Sequence, residues 1–213
     1  MKHAIMLLAV ALLLPLAAVA QSKLKPEQYF THPGLEVAVP DFAAEGLILD
    51  IGGGGEGVIA QLKGRQVVAV DLSKRELDEA PGEPLLKIVM DARDLKFVDA
   101  SFSTTTVFFT FMYISPADHD KVLQEIRRVL KPGGRLLIWD PIFPAKANPE
   151  HQGILYRLHI RLPRAEINTG YGVRYPEARD AGHFVTLATK AGFEVVSRKD
   201  EPGWFFLELR KAS

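Results

Sequence analysis

The chain has 213 residues, with 26 basic and 26 acidic side chains and no cysteine. Its balanced charge provides no overall field that would attract nucleic acid, so nucleic acid is not an expected partner. The absence of cysteine excludes disulfides, thiolate catalysis and cysteine-ligated zinc, and no metal site is predicted. The length suits one domain of ordinary size with a substantial core.

Residues 1–20 differ from the rest of the chain. A short basic start is followed by an uncharged apolar run over residues 4–20, which ends in Ala18-Val19-Ala20. This layout is typical of a secretory signal peptide and predicts export, to the periplasm in a bacterium with two membranes. The alternative is an uncleaved membrane anchor, because seventeen apolar residues are at the short limit for spanning a bilayer. Either way, residues 1–20 are not expected to form part of the folded domain.

The remaining residues show alternating strand and helix patterns after a proline-containing segment. Residues 21–44 have no clear period and are predicted to be a linker with at most one short helix. Strands are predicted over 47–50, 67–70, 86–90, 104–110, 135–139, 193–196 and 204–209, and helices over 55–63, from Ser73, from Ser115-Pro116 and over 177–190. Such alternation predicts an α/β domain over 45–213 with a parallel sheet covered on both faces. The last two strands are joined too tightly for a crossover helix and should pair antiparallel.

An irregular insert over residues 141–176 leaves the fifth strand, where ligands of α/β sheets bind. Ile154, Leu155, Leu158 and Leu162 recur at helical spacing, with Arg157, Arg161 and Arg164 on another face. This pattern predicts an amphipathic helix packed on the domain. The alternative is a basic lid over an anionic acceptor or a membrane surface. The insert is therefore expected to set acceptor specificity.

A glycine-rich loop, Asp50-Ile51-Gly52-Gly53-Gly54-Gly55-Glu56-Gly57, follows the first strand of this domain. Such loops let the backbone approach a ligand closely. Gly52-x-Gly54-x-x-Gly57 also matches the dinucleotide fingerprint, so an NAD-dependent oxidoreductase is an alternative. Asp50 argues against it, because its carboxylate would repel a pyrophosphate. A cationic ligand such as S-adenosylmethionine would instead be attracted.

Two further acids follow the next two strands. Asp71 can accept hydrogen bonds from ribose hydroxyls, although it could also simply cap the following helix. Asp91 can accept from an adenine amino group, with the amide of Ala92 beside it, although a turn acid is the simpler interpretation. These types of residue at successive strand ends suit an adenosine-containing ligand.

In this order, the motifs resemble the class I methyltransferases, in particular the type 11 methyltransferase domain, over about residues 45–140. The resemblance implies a Rossmann-like fold with a mostly parallel seven-stranded sheet and an antiparallel last strand. It also implies S-adenosylmethionine as methyl donor and a small molecule as acceptor. Mapped onto this sequence, the residues that hold the donor are Asp50, Gly52, Gly54, Asp71, Leu72, Asp91, Ala92 and Phe111. Glu56 stands where the family has a glycine.

The sequence does not single out a catalytic side chain. Methyl transfer chiefly needs alignment of donor and acceptor, and a general base only where the acceptor is poorly ionised. Tyr113 and His159 are weak candidates for that base, as are His119 and Tyr171. A second functional class stays open, namely an exported module of the same fold that no longer methylates.

Overall fold

The computed structural model describes residues 24–212 and contains two β-sheets. The strands are β1 (Tyr29–Ala38), β2 (Ile48–Ile51), β3 (Val67–Asp71), β4 (Leu86–Val89), β5 (Phe102–Phe108), β6 (Leu130–Pro141), β7 (Gly153–Leu162), β8 (Ala165–Arg174), β9 (Phe193–Glu201) and β10 (Trp204–Lys211). The α-helices are α1 (Val58–Lys63), α2 (Lys74–Glu79), α3 (His119–Val129) and α4 (Ala181–Lys190). The predictions for residues 1–20 lie outside the described residues and stay predictions.

The larger sheet has seven strands in the order β4-β3-β2-β5-β6-β10-β9. The first five run parallel to one another, and β10 runs antiparallel to both β6 and β9. The predicted mostly parallel sheet with an antiparallel last strand is therefore confirmed. All four residues of β2 are buried, as expected for a central strand covered on both faces.

The two faces of this sheet bury different partners. On one face, α3 and α4 pack against the sheet, and the apolar side chains of α3 at Val122, Leu123, Ile126 and Val129 are fully buried. On the other face, α1 and α2 share the core with the second sheet. Helix α4 begins at Ala181, where the Asp180 side chain accepts a 2.8 Å hydrogen bond from the amide of Gly182.

The second sheet has the order β1-β7-β8 and corrects the helix predicted within residues 141–176. Along β7, Ile154, Tyr156, Leu158 and Ile160 are buried in alternation, whereas Arg157 and Arg161 are exposed. This period of two is that of a strand. The prediction failed because positions 154, 158 and 162 are four residues apart, and that spacing shares one face in a strand as well as in a helix.

Strand β1 likewise corrects the linker predicted over residues 21–44. It pairs parallel with β7, with a register shift between His32 and Leu35. Pro33 and Gly34 interrupt the apolar alternation at that shift, which hid the strand in the sequence. The indole Nε1 of Trp204 donates a 3.1 Å hydrogen bond to the carbonyl of Glu36, which joins β10 to β1.

The start of α3 also differs from its prediction. A 3₁₀ turn over Pro116–Asp118 precedes the helix, and Ser115 makes no side-chain cap bond in it. Within residues 24–212, no helix combines the length and apolar character needed to cross a membrane.

Candidate functional site

The glycine loop lies where the carboxyl ends of β2, β3 and β5 meet. The amides of Gly52 and Gly53 donate to the carbonyl of Val70, at 2.8 and 3.1 Å, which anchors the loop to β3. Gly52 has φ +73°, and a Cβ there would lie 2.1 Å from the hydroxyl of Thr110. A Cβ on Gly54 would lie 2.9 Å from the carboxylate of Asp71. Glycine is therefore required at both positions, for space and at Gly52 also for conformation.

A cavity of about 510 Å³ opens above this loop. Its walls come from the loop, from the segments that follow β3, β4 and β5, and from β8. The volume is within the range of small-molecule and cofactor sites. Of the sequence-predicted site residues, those lining the cavity are Gly52, Gly54, Asp71, Leu72, Asp91, Ala92, Tyr113 and Tyr171.

Asp71 holds the loop and faces the cavity. Its carboxylate accepts a 2.8 Å bond from the amide of Ser73 and a 3.3 Å bond from the amide of Gly54. Partial burial raises the pKa of this carboxyl, against the lowering effect of the two amides. The adjacent helix α2 is capped instead by the hydroxyl of Ser73, which accepts from the amide of Glu76. The alternative that Asp71 serves as the helix cap is therefore wrong.

The next wall contains an apolar surface and an ion pair. Leu72 is 67 % exposed at the cavity edge, where a flat apolar ligand would cover it. Asp91 accepts hydrogen bonds from the guanidinium of Arg93, the shorter at 2.7 Å, and Arg93 also contacts Asp118 at 3.1 Å. The side chain of Arg93 holds the pKa of Asp91 below its usual range. A ligand at Asp91 would therefore share an ionised carboxylate with Arg93.

Asp50 lies behind the glycine loop and not on the main cavity wall. It is 2 % exposed, and the hydroxyl of Thr106 donates a 2.7 Å bond to its carboxylate. Burial raises the pKa of Asp50 to about 7, and the nearby Asp71 carboxylate adds to the rise. It lines a small recess under Gly53 and Gly54. The glycine loop therefore separates Asp50 from the main cavity.

The segment after β5 places different residues at the site from those predicted. Phe111 has no exposed surface and packs in the core, its ring centroid 4.9 Å from that of Phe184. Phe109 and Thr110 line the cavity in its place, because β5 ends at Phe108. Phe109 has φ +47°, an uncommon conformation for a bulky residue that often marks a functional site.

Glu56 connects the glycine loop to the second sheet. Its carboxylate accepts hydrogen bonds from the hydroxyls of Thr169 and Tyr171, the latter at 2.6 Å. The two donors are two residues apart on β8 and so project from the same face. The ring of Tyr171 also lies 5.7 Å from that of Phe109 and 6.5 Å from that of Tyr113. Strand β8 thus closes one end of the cavity.

The candidate bases occupy contrasting positions. Tyr113 reaches the cavity with 46 % of its surface exposed, and desolvation together with the Glu56 carboxylate raises its phenol pKa. Tyr113 therefore stays protonated near neutral pH, so its hydroxyl can donate a hydrogen bond into the cavity. His159 lies on the second sheet with its Nδ1 3.0 Å from Glu36. His119 is buried in the core, where burial lowers its pKa to about 4.

Sequence reasoning missed several residues of the cavity wall. Thr169, Glu76, Asp118 and Ser115 line it, together with Phe109 and Thr110. The alternation of β8 is a signal that could have placed Thr169 beside Tyr171. The alternative of a basic lid is not met, because Arg157, Arg161 and Arg164 are exposed to solvent and are not among the residues lining the cavity.

Comparison with known proteins agrees with this geometry. Residues 49–138 match the family described as a methyltransferase domain. A glycine/sarcosine/dimethylglycine N-methyltransferase of Actinopolyspora halophila is 30 % identical over 191 residues, which cover 81 % of this chain and 33 % of that protein. The ubiquinone/menaquinone biosynthesis C-methyltransferase UbiE of Desulfotalea psychrophila is 38 % identical over 110 residues, which cover 47 % of this chain and 44 % of that protein.

The solved structures extend the likeness to the whole fold. An S-adenosylmethionine-dependent methyltransferase of Methanosarcina mazei aligns with a TM-score of 0.58 at 20 % identity, covering 80 % of this chain and 94 % of its own. The chain spans between a third and a half of the two curated relatives. The matched residues contain the glycine loop and the two predicted acids that line the cavity, Asp71 and Asp91. Residues 49–138 of the chain therefore match a methyltransferase domain, and the described residues share the fold of the Methanosarcina mazei methyltransferase.

Proposed function

We propose that the protein transfers a methyl group from S-adenosylmethionine to a small-molecule acceptor. The observation that carries the proposal is the cavity above the glycine loop, where the carboxylate of Asp71 and the exposed side chain of Leu72 adjoin a backbone that tolerates no Cβ. These features suit the ribose, the adenine and the amino-acid part of the donor in turn.

The charge of the cavity favours this donor over a dinucleotide. Acidic side chains outnumber basic ones along the walls, and a pyrophosphate would have to approach Asp71 and Glu56. Like charges in a partly desolvated site repel strongly, by about 4 kcal/mol at 4 Å and intermediate dielectric. S-adenosylmethionine has no phosphate and carries one net positive charge. The oxidoreductase alternative is therefore disfavoured.

The residues of the chain contribute orientation and exclusion of water. When bound, S-adenosylmethionine supplies an electrophilic methyl group on a sulfonium. Asp71 would hold the ribose, and Phe109, Thr110 and Tyr113 would line the site of the methyl group. Strand β8, through its contact with Glu56, would exclude water from that end of the cavity. Alignment of this kind can supply roughly 7–11 kcal/mol of a barrier.

Calorimetric titration of the purified protein with S-adenosylhomocysteine and with NADH tests the proposal. We expect micromolar binding of S-adenosylhomocysteine and none of NADH. Asp71→Asn should weaken that binding at least about tenfold, because a charged acceptor of two ribose bonds is lost. Asp94→Asn is the matched control, since Asp94 is an exposed acid that pairs with Lys96. A folded protein that binds NADH and not S-adenosylhomocysteine would contradict the proposal.

A further inference from the structure

The cavity carries an excess of negative charge along its walls. Five carboxylates line it, those of Glu56, Asp71, Glu76, Asp91 and Asp118. Of the described residues that line it, Arg93 alone is basic, and its guanidinium is engaged by Asp91 and Asp118. Glu76 pairs with Arg75, which does not line the cavity. The carboxylates of Glu56 and Asp71 thus have no cationic partner on the wall, whereas the donor brings one net positive charge.

Glu56 lies at a different end of the cavity from the ion pair between Arg93 and Asp91. Its partners are Thr169 and Tyr171 of β8, whereas Asp91 faces Arg93 after β4. The rings of Phe109 and Tyr113 stand against Tyr171 at the Glu56 end. A carboxylate framed by aromatic rings attracts an ammonium group, through its charge and through the ring faces.

An anionic acceptor would find no attraction at this end. Arg157, Arg161 and Arg164 are exposed to solvent and do not line the cavity. Two of the hydroxyls at this end, those of Thr169 and Tyr171, already donate to Glu56. The hydroxyl of Tyr113 is a neutral donor next to the same carboxylate. Phenolates, carboxylates and phosphates would therefore meet a carboxylate and no cation.

From this arrangement we infer that the methyl acceptor is an amine, which binds with its nitrogen at Glu56 between the rings of Tyr113 and Tyr171. The inference rests on the proposed function, because it names the acceptor of the same reaction. A protonated amine first gives one proton to solvent water. Its lone pair then forms the N–C bond while the C–S bond breaks, and the bonding electrons stay on sulfur. The positive charge moves from sulfur to nitrogen, where the Glu56 carboxylate stabilises it.

Three probes of similar size and different charge test the inference, namely 2-phenylethylamine, 2-phenylethanol and 3-phenylpropionate. Each is titrated calorimetrically into the full protein saturated with S-adenosylhomocysteine. We expect the amine to bind at least about tenfold more tightly than the alcohol, and the carboxylate most weakly. Equal or tighter binding of the carboxylate, or binding of none of the three, would overturn the inference. Loading with S-adenosylhomocysteine is measured first, so failure of that step counts against the methyltransferase proposal instead.

Variants locate the preference at Glu56. Glu56→Gln keeps the acceptor atom for Tyr171 and removes the charge, so amine binding should weaken about tenfold while alcohol binding stays within about twofold. Glu83→Gln, at an exposed acid outside the cavity, should change neither. Tyr113→Leu serves if Glu56→Gln does not fold, because Tyr113 is nearly half exposed; it should weaken amine binding alone. Unchanged amine affinity in a folded Glu56 variant would contradict the inference.

Discussion

Glu56 joins two parts of the molecule that are more than a hundred residues apart in the chain. It belongs to the glycine loop, and its side chain reaches Thr169 and Tyr171 on β8. A carboxylate on a cavity wall loses part of its hydration, and two hydroxyl donors replace that loss. Glu56 therefore holds the second sheet against the glycine loop, in addition to the charge that it brings to the cavity.

Removal of the Tyr171 hydroxyl should show how much its hydrogen bond to Glu56 contributes to the stability of the protein. Tyr171→Phe keeps the ring contacts with Phe109 and Tyr113 and deletes the 2.6 Å bond to Glu56. We expect the free energy of unfolding to fall by about 1–2 kcal/mol, as for loss of a bond to a charged group at a site open to water. Urea denaturation measures the change, and Tyr175→Phe on the segment after β8 is the control.

The same measurement in a Glu56→Gln background separates this bond from other effects of the hydroxyl. If the bond to the charged group carries the stability, Tyr171→Phe should cost less there than in the wild type. An equal cost in both backgrounds would show that the hydroxyl stabilises the protein through something other than Glu56.

The site residues whose positions the sequence could predict are those that stand at the carboxyl ends of strands. Asp71 and Asp91 follow short apolar strands, and parallel strands bring such positions to one edge. Phe111 was misplaced because β5 ends at Phe108, two residues earlier than predicted. The positive φ of Phe109 then redirects the chain, and nothing in the residue type announces that conformation.

At the scale of elements, β7 shows where periodicity alone is ambiguous. Its apolar residues at 154, 158 and 162 satisfy both a helix and a strand, and only the full set at 154, 156, 158 and 160 selects the strand. The β-branched and aromatic members of this set, Ile154, Tyr156 and Ile160, favour the same choice. Neighbouring β8 has two glycines and no continuous apolar run, so its pairing with β7 fixes it as a strand.

Two truncations distinguish the strand from the helix in solution. Ile160 is fully buried in β7, whereas Leu155 is only partly buried on the opposite side of the strand. Ile160→Ala should therefore lower the free energy of unfolding by about 2–5 kcal/mol, and Leu155→Ala by less than half as much. A helix with Leu155 on its buried face would reverse this order, which thermal or urea unfolding of both variants would reveal.

At the scale of the whole molecule, the parts of the fold that the sequence predicts are those in which each element has its own local sequence pattern. The seven-stranded sheet follows from alternating strands and helices, each with its own pattern. The second sheet pairs β1 with β7 across more than a hundred residues, and no local pattern records such a pairing. Residues 21–44 and 141–176 are therefore predicted as separate irregular segments, although β1, β7 and β8, which lie within them, together cover one face of the domain.

The central sheet also contains two buried carboxyl groups. Burial opposes the ionisation of both. Burial raises the pKa of Asp50 to about 7 and that of Asp140 to about 8, from 3.8 in an unfolded chain. At pH values between the pKa of the unfolded chain and the raised pKa values of the folded protein, the folded protein retains protons that the unfolded chain releases. Stability should therefore fall as pH rises from about 4 to about 8, with the Asp50 part of the loss complete near pH 7.

Asp50→Asn isolates one of these contributions, because the amide oxygen can still accept the bond from Thr106. The variant should match the wild type near pH 4.5 and exceed it at pH 8, by on the order of 2–4 kcal/mol in urea unfolding. Asp94→Asn, at an exposed acid, should show no such divergence. A difference from the wild type that is the same at both pH values would mean that folding does not raise the pKa of Asp50, and it would contradict the prediction. Asp140 remains in the variant, so a weaker decline with pH should persist there.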